Sequence, residues 1–333
     1  MTTRTRYFVI ASLLVLTVGL GTGLVAYYVG FPMSAFQRAG GPEELRYMPR
    51  DAAVVAYADV REVMTSQLRQ RVHDAIPTPE NGQQEFENQT GINIERDIDR
   101  VVACAQAAPD GSGVKGGGMV LARGRFDEVK IESLMRSHGA EAESYKGSRL
   151  IETYGPHQHQ ADHDTKFAVA FMEPGLVAVG TADLVRTAID IHAGGNLPNA
   201  TANEDLMTMI RSLDTGNNAW AVGRFDALRQ QARLPEQVAS QIPPITWFSV
   251  ASHVNGGIRG IIRAETRDDE SANNLRDVVR GFMAMAKLGA GSKPEMQTML
   301  QSLELGGTGK TVALSFAVPV EVLDVISKGK RGH

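Results

Sequence analysis

The run YFVIASLLVLTVGLGTGLVAYYVGF, from Tyr7 to Phe31, contains no charged residue and decides how the rest of the chain is interpreted. A helix crosses a hydrocarbon core of about 30 Å with roughly 20 residues, so this stretch is long enough to span a membrane with some tilt. A cleaved signal peptide has a shorter apolar core and a small-x-small cleavage site, whereas Ala35 has Met33 two positions before it. The sequence therefore predicts an uncleaved transmembrane helix.

The charges on either side of this helix predict its orientation. Arg4 and Arg6 precede it, and Glu43 and Glu44 follow it. Basic residues are enriched on the cytoplasmic side of membrane helices. The pattern predicts a cytoplasmic N-terminus at residues 1–6 and an extracytoplasmic C-terminal domain, which is periplasmic in a bacterium. We expect a single-pass protein of the cytoplasmic membrane that contacts the membrane through this helix.

The composition of the remaining chain is that of a globular protein. Hydrophobic residues make up 43% and charged residues 22% of the sequence. Removing Arg4 and Arg6 from the 34 basic residues leaves 32 against 38 acidic ones, a formal charge of −6 that argues against nucleic acid as a partner. Cys104 is the only cysteine, so an intrachain disulfide is impossible, and its apolar neighbours in VVACAQ predict a buried thiol.

Two successive passes of strand and helix signals follow a linker at residues 32–48. The stretch GGGMVLARGRFDEVKIESLM matches GGIRGIIRAETRDDESANNLRDVV, and FMEPGLVAVGTADLVRTAI matches ALSFAVPVEVLDVI. We infer a first repeat at residues 49–195, a second at residues 196–328 and a basic tail at residues 329–333. The predicted fold class is α+β: an N-terminal transmembrane helix followed by a duplicated module of antiparallel strands and hairpins, with helices packed on one face.

Several local signals are specific. Asn255, Gly256 and Gly257 between two apolar runs predict a hairpin, and Asp59 and Asp127 are placed to cap helices. The segment from Tyr145 to Tyr154 is predicted as one strand. A long helix is predicted at residues 268–288, and its apolar residues at helical spacing predict a buried stripe: Leu275, Val278, Val279, Phe282 and Ala286.

The segment YGPHQHQADHDTK is the one cluster of chemically capable side chains. His157, His159, Asp162, His163 and Asp164 fall within eight residues. Imidazole nitrogens and carboxylates suit zinc, nickel or copper, and alternating histidines in an extended segment point to the same side. The spacing matches no standard metal site, however, and an exposed hairpin loop explains the same polarity. A divalent transition metal is thus the single cofactor that the sequence raises.

The segment GGTGKT, residues 306–311, looks like the end of a phosphate-binding loop. The first glycine of that motif would fall at Glu304, and the segment precedes the strand TVALSF instead of a helix. A hairpin turn is therefore predicted. The chain contains no GxSxG, HExxH or calcium-loop pattern. This favours a protein without catalytic activity and leaves a hydrolase with a site assembled from distant residues as an alternative.

Four stretches beyond the predicted anchor carry a resemblance to a known family. They are YMPRDAAVVAYADVREVM, TGINIERDIDRVV, NAWAVGRFDAL and GIIRAETRDDESANNLRDVVRG. With them, the chain resembles a family of uncharacterised bacterial single-pass envelope proteins, known mainly as a domain of unknown function. The resemblance implies a location and a repeat architecture, and it supplies no catalytic residues.

These observations predict a membrane-anchored extracytoplasmic binding or scaffold protein of the bacterial envelope. Its expected partners are the membrane and either an envelope protein or a second copy of itself. Two alternatives remain open. One is a metal-binding protein that uses the loop at residues 157–164, and the other is an unrecognised hydrolase.

Overall fold

Twelve strands of the computed structural model pair into one antiparallel sheet. The structure describes residues 41–69, 87–88, 90–107, 117–154, 166–214, 216–225, 243–289 and 294–319. The strands are β1 (Val54–Ala58), β2 (Ile98–Ala105), β3 (Gly118–Gly124), β4 (Glu141–Tyr145), β5 (Ser148–Tyr154), β6 (Lys166–Glu173), β7 (Leu176–Thr181), β8 (Ala219–Arg224), β9 (Ile245–Val254), β10 (Gly257–Thr266), β11 (Glu304–Gly306) and β12 (Thr311–Pro319). The α-helices of this part are α1 (Val60–Met64), α2 (Ile94–Asp97), α3 (Glu128–Ser137), α4 (Ala182–His192), α5 (Glu204–Arg211), α6 (Asp269–Gly289) and α7 (Pro294–Gln301). Short 3-10 helices lie at Glu43–Tyr47 and Ala200–Ala202.

The centre of the sheet is β1, whose five residues are all buried. The strand order is β11-β12-β10-β9-β8-β1-β2-β3-β7-β6-β5-β4. Ala56 lies opposite Ala103 of β2 on one side and opposite Ala221 of β8 on the other. Because both sides of β1 are paired along its whole length, the early and late parts of the chain share one hydrogen-bonded ladder.

Helices cover both faces of the central strands. On one face, Val102 of β2 belongs to the same apolar cluster as Leu184 of α4 and Leu206 of α5. On the other face, the neighbouring Val101 belongs to the same cluster as Val63 of α1. Successive side chains of a strand point to opposite faces, which explains why neighbouring valines serve different clusters.

Helix α6 lies on the same face as α1. Ile258 of β10 packs against the cluster of α1, and Ala264 of the same strand packs with Leu275 of α6. The even spacing between Ile258 and Ala264 keeps both side chains on one face. The face that carries α1 and α6 is therefore opposite the face that carries α4 and α5.

The predicted fold class is wrong. The structure has one continuous sheet of twelve antiparallel strands with few helices, instead of an anchored, duplicated α+β module with helices on one face. The physical reason is that β1 pairs with β8, although 160 residues lie between the two strands in the chain. This pairing joins the two predicted modules into one sheet. Residues 43–47 of the predicted linker form a 3-10 helix in the core. The predicted repeat boundaries stay predictions, and the tail at residues 329–333 lies outside the described residues.

No helix in the described part of the chain is long and apolar enough to cross a membrane. The longest, α6, has 21 residues but carries six charged side chains. The predicted span from Tyr7 to Phe31 and the predicted cytoplasmic residues 1–6 lie outside the described residues. We therefore correct four predictions that the structure does not support: a transmembrane helix, a single-pass protein, attachment to the membrane through that helix, and a cytoplasmic-membrane location with a periplasmic domain.

Candidate functional site

The predicted metal site lies outside the described residues. Its five side chains, His157, His159, Asp162, His163 and Asp164, belong to the connection between β5 and β6, which pair as neighbours. Among the residues that the structure does describe, no group of three or more histidine, cysteine or acidic side chains is placed to hold a metal ion. Metal binding by this loop stays a prediction.

The segment GGTGKT forms a hairpin turn, as predicted. Gly306 ends β11, Thr311 begins β12, and the two strands pair. The guanidinium of Arg276 in α6 donates hydrogen bonds of 2.9 Å to the carbonyl oxygens of Gly309 and Thr311. Phosphate-binding loops present backbone N–H groups to an anion. This turn instead presents carbonyl oxygens to a cation of the protein, so it holds α6 against the sheet.

A buried carboxylate lies between two arginines at one end of the sheet. The Oε1 atom of Glu44 accepts hydrogen bonds from Nε of Arg100 at 2.9 Å and from Nε of Arg123 at 3.0 Å. The Glu44 side chain is only 1% exposed. Arg100 also donates to Glu43 at 2.8 Å, and Arg123 donates to Glu173 at 2.7 Å. The 3-10 helix at residues 43–47 is thereby joined to β2, β3 and β6.

The same network extends to the surface through Tyr47. Its hydroxyl donates to Glu173 at 2.9 Å and accepts a hydrogen bond of 2.7 Å from Arg46. Burial by itself raises the pKa of the Glu173 carboxyl, but the hydrogen bonds from Arg123 and Tyr47 outweigh burial and lower this pKa. Three carboxylates and three guanidinium groups thus neutralise one another. The arrangement links the 3-10 helix to the sheet, and of its buried oxygens Oε2 of Glu44 has no hydrogen-bond partner.

The thiol of the single cysteine is buried and inaccessible to reagents in the folded protein. Cys104 lies in the core on β2, as predicted. Burial raises the pKa of its thiol to about 12. A nucleophilic cysteine needs a thiolate stabilised by nearby positive charge. Cys104 therefore acts as a small apolar side chain.

A groove of about 430 Å³ opens beside α4. Ile191 of α4 and Leu197 and Pro198 of the following connection are among the residues that line it. Arg50 and Asp51 are the two charged residues among those that line the groove. An apolar concavity with a few polar groups is the usual form of a small-molecule site. No feature of the sequence had identified it, because its walls come from two segments far apart in the chain.

The first half of α6 is packed against the sheet. Ala272 and Leu275 are buried with Val312 of β12, and Val279 packs against this cluster. Asp268 caps the helix, since its Oδ1 accepts a hydrogen bond of 2.8 Å from the backbone N–H of Ser271. The beginning of α6 is thus fixed by both apolar and polar contacts.

The second half of α6 is exposed. The segment GFMAMAKL at residues 281–288 has six apolar side chains besides its glycine, and Lys287 is its one charge. Phe282 is 39% exposed, Met285 60% and Leu288 85%. A helix that is apolar on all sides is normally buried. These two turns, which we call the α6 end, therefore form the most conspicuous uncovered surface of the described part of the chain.

Sequence periodicity identified this helix but not its exposure. Leu275 of the predicted buried stripe is buried, whereas Phe282 is partly exposed and Ala286 is exposed. The spacing of apolar residues shows which side chains share a helix face. It does not show whether another layer of the same molecule lies against that face.

The fold and these surfaces define an antiparallel-sheet protein with neutralised buried charges, a small groove and an exposed apolar helix end. The fold is similar to crystal form III of TP0453, with a TM-score of 0.51 at 11% identity, over 86% of this chain and 99% of that chain. Crystal forms I and IV of TP0453 give TM-scores of 0.45 and 0.46 at 9% and 10% identity, over 86% of this chain and 98% and 97% of theirs, values too low to support a conclusion. No protein-family model and no curated protein matches the chain. The similarity concerns the fold alone.

Proposed function

We propose that this protein is a non-enzymatic binding or scaffold protein that holds a protein partner through the α6 end. The observation that carries the proposal is the exposure of Phe282, Met285 and Leu288 on two nearly uncharged helical turns. Apolar surface in contact with water costs roughly 25 cal/mol per Å². A partner that covers these side chains recovers that free energy.

The distribution of the apolar side chains indicates the form of the partner. They surround the α6 end, so contact along one helix face would leave part of them in water. An apolar groove that encloses the last two turns covers them all. Lys287 would then lie at the rim of the contact, where its long side chain can reach solvent.

The remaining chemistry of the described residues supports binding over catalysis. The one cysteine is buried, and the carboxylates around Glu44 are engaged by arginines. The two alternatives, metal binding by the loop at residues 157–164 and an unrecognised hydrolase, stay predictions.

The proposal is tested by replacing Met285 with a photo-crosslinking amino acid in the full-length protein in its native cells. A matched control carries the same crosslinker at Val129 of α3, an apolar residue that is 81% exposed. We expect a discrete adduct with one protein at position 285 and no such adduct at position 129. The variant Phe282→Glu should lose the adduct while its thermal unfolding stays within a few degrees of the parent, because position 282 is already partly exposed.

Equal labelling of many proteins from positions 285 and 129 would show that the α6 end binds proteins non-specifically and has no specific partner. That result, or a discrete adduct that persists in Phe282→Glu, would refute the proposal.

A further inference from the structure

The backbone of Arg50, which lines the groove beside α4, is held by hydrogen bonds. Pro49 and Asn199 form an antiparallel bridge, and the N–H of Arg50 donates a hydrogen bond of 3.2 Å to the carbonyl oxygen of Pro198. The side-chain amide of Asn203 donates a hydrogen bond of 2.9 Å to the carbonyl oxygen of Arg50. Both backbone groups of Arg50 are therefore engaged, and the start of its side chain has a defined position.

The guanidinium group of Arg50 is free by contrast. The residue is exposed and makes no side-chain hydrogen bond or ion pair within the described part of the chain. The neighbouring carboxylate, Asp51, accepts hydrogen bonds of 3.3 Å from the side-chain amide of Gln106. The positive group is thus available to a ligand, while the negative group already has a neutral donor.

The rest of the groove is suited to an apolar group. Thr187 and Ile191 lie one turn apart on α4 and both line the groove, as does Leu197. Leu197 is 47% exposed, so its side chain has apolar surface left to cover. The volume of about 430 Å³ falls in the range of small-molecule sites, and is too small for a folded partner.

We propose that this groove binds a small amphipathic anion. The ligand is a carboxylate with an apolar part. The guanidinium of Arg50 binds the carboxylate through charge-assisted hydrogen bonds, and Ile191 and Leu197 contact the apolar part. Asp51 lies at the same groove and repels the carboxylate, so it limits the affinity. This site is independent of the protein partner proposed for the α6 end.

The proposal is tested with 3-phenylpropionate as the probe, because it combines a carboxylate with one apolar ring. Titration of the purified full-length protein is followed by amide NMR shifts at Arg50, Thr187 and Leu197. We expect saturable shifts at these residues and none with 3-phenylpropylamine, which has the opposite charge. Arg50→Gln should weaken binding at least about tenfold, as expected for loss of a charged hydrogen bond.

Three further variants separate the site from general charge effects. Arg259→Gln removes an exposed arginine of β10 far along the sheet and should leave the dissociation constant unchanged. Asp51→Asn should tighten binding by a few fold, and Leu197→Ser should weaken it by a few fold. Equal binding of the amine, or equal affinity of Arg50→Gln and the parent, would overturn the proposal. Because position 50 is exposed, a folded Arg50→Gln protein is expected, and its unchanged NMR shifts elsewhere verify this.

Discussion

Glu44 is a buried carboxylate in a segment whose sequence is typical of a linker. Its neighbour Glu43 is the same residue type, yet that side chain is 41% exposed. The difference is produced by Arg100 and Arg123, which lie 56 and 79 residues further along the chain. Charged residues are almost never fully buried unless they are paired. The burial of Glu44 could therefore not be predicted from sequence without knowledge of the sheet that brings both arginines to it.

The variant Glu44→Gln should destabilise the protein by about 3 kcal/mol. The glutamine keeps the shape of the side chain but removes the charge that lies between two partly buried guanidinium groups. Removing one partner of a buried ion pair typically costs about 3 to 5 kcal/mol, and the contacts of the arginines with Glu43 and Glu173 reduce the loss here. The measurement is the free energy of unfolding in urea.

Glu43→Gln is the matched control, since it removes the same charge one residue earlier. Its more exposed side chain predicts a loss below about 1 kcal/mol. Similar losses for the two variants would mean that the Glu44 network does not hold the 3-10 helix.

At the scale of elements, short-range signals were sufficient to predict helix caps and two hairpins, at residues 255–257 and 306–311. Asp59 and Asp127 accept the predicted capping hydrogen bonds, and the turn at residues 255–257 joins β9 and β10 as predicted. The strand predicted from Tyr145 to Tyr154 is confirmed as β5 only from Ser148 onward, because the first residues of the segment are the end of β4 and the turn of the β4–β5 hairpin. Its turn uses positive φ angles of 48° and 88° at Lys146 and Gly147. Lysine is not among the residues typical of the first position, so the turn signal is weak.

Helix α6 should lose part of its N-terminal stabilisation in acid as Asp268 becomes protonated. Hydrogen bonds from the side chain and backbone of Ser271, together with Arg267, lower the pKa of the Asp268 carboxyl to about 2. An aspartate in an unfolded chain has a pKa of about 3.9. Because the folded pKa is the lower one, the stabilisation is fully present above pH about 4 and disappears as the pH falls toward 2. Carboxyl NMR titration and amide exchange at residues 270–273 measure both effects.

Asp268→Asn provides the control for this titration. Asparagine retains an oxygen that can accept the capping hydrogen bond, but it does not ionise in this range. Amide exchange at the start of α6 should then lose its dependence on pH between 4 and 2. A carboxyl midpoint near 3.9 in the parent protein would contradict the proposed role of Asp268.

At the scale of the whole molecule, the pairing of β1 with β8 makes two stretches of chain into one structure. The ring of Tyr57 in β1 stacks on Trp220 in β8, with 5.7 Å between their centroids, and reinforces the hydrogen-bonded ladder. The apolar content of DAAVVAYADV was enough to predict β1 as a buried strand. Its second partner was not predictable, because nothing in an apolar run specifies which of several distant strands will pair with it.

The parts of the sheet on the two sides of β1 should unfold together. The chain contains two tryptophans, Trp220 in β8 and Trp247 in β9, and one cysteine, Cys104 in β2. Tryptophan fluorescence therefore reports on one side of β1, and the reaction of Cys104 with a short pulse of thiol reagent reports on the other. Because β1 links both sides, we expect the two signals to give the same urea midpoint.

The variant Ala56→Pro makes this test more stringent. Proline removes a backbone N–H from the central strand and should cost more than about 3 kcal/mol, moving both midpoints equally. Ala142→Pro places the same change in β4 at the sheet edge, where only β5 is a neighbour, and should cost less. Two separate midpoints, or a shift of one signal alone in Ala56→Pro, would show that the halves fold independently.

The central position of β1 has a consequence for synthesis. Only 39 residues separate β1 from β2, whereas 160 separate it from β8. At translation rates of roughly 5 to 20 residues per second, synthesis of the residues between β1 and β8 takes roughly 10 to 30 s. During this time one edge of β1 has no partner strand. An unpaired apolar edge readily pairs with other chains. Nascent chains stalled before residue 219 should therefore aggregate or recruit chaperones more than chains stalled well after residue 254, and equal behaviour of the two would show that the edge is protected by other means.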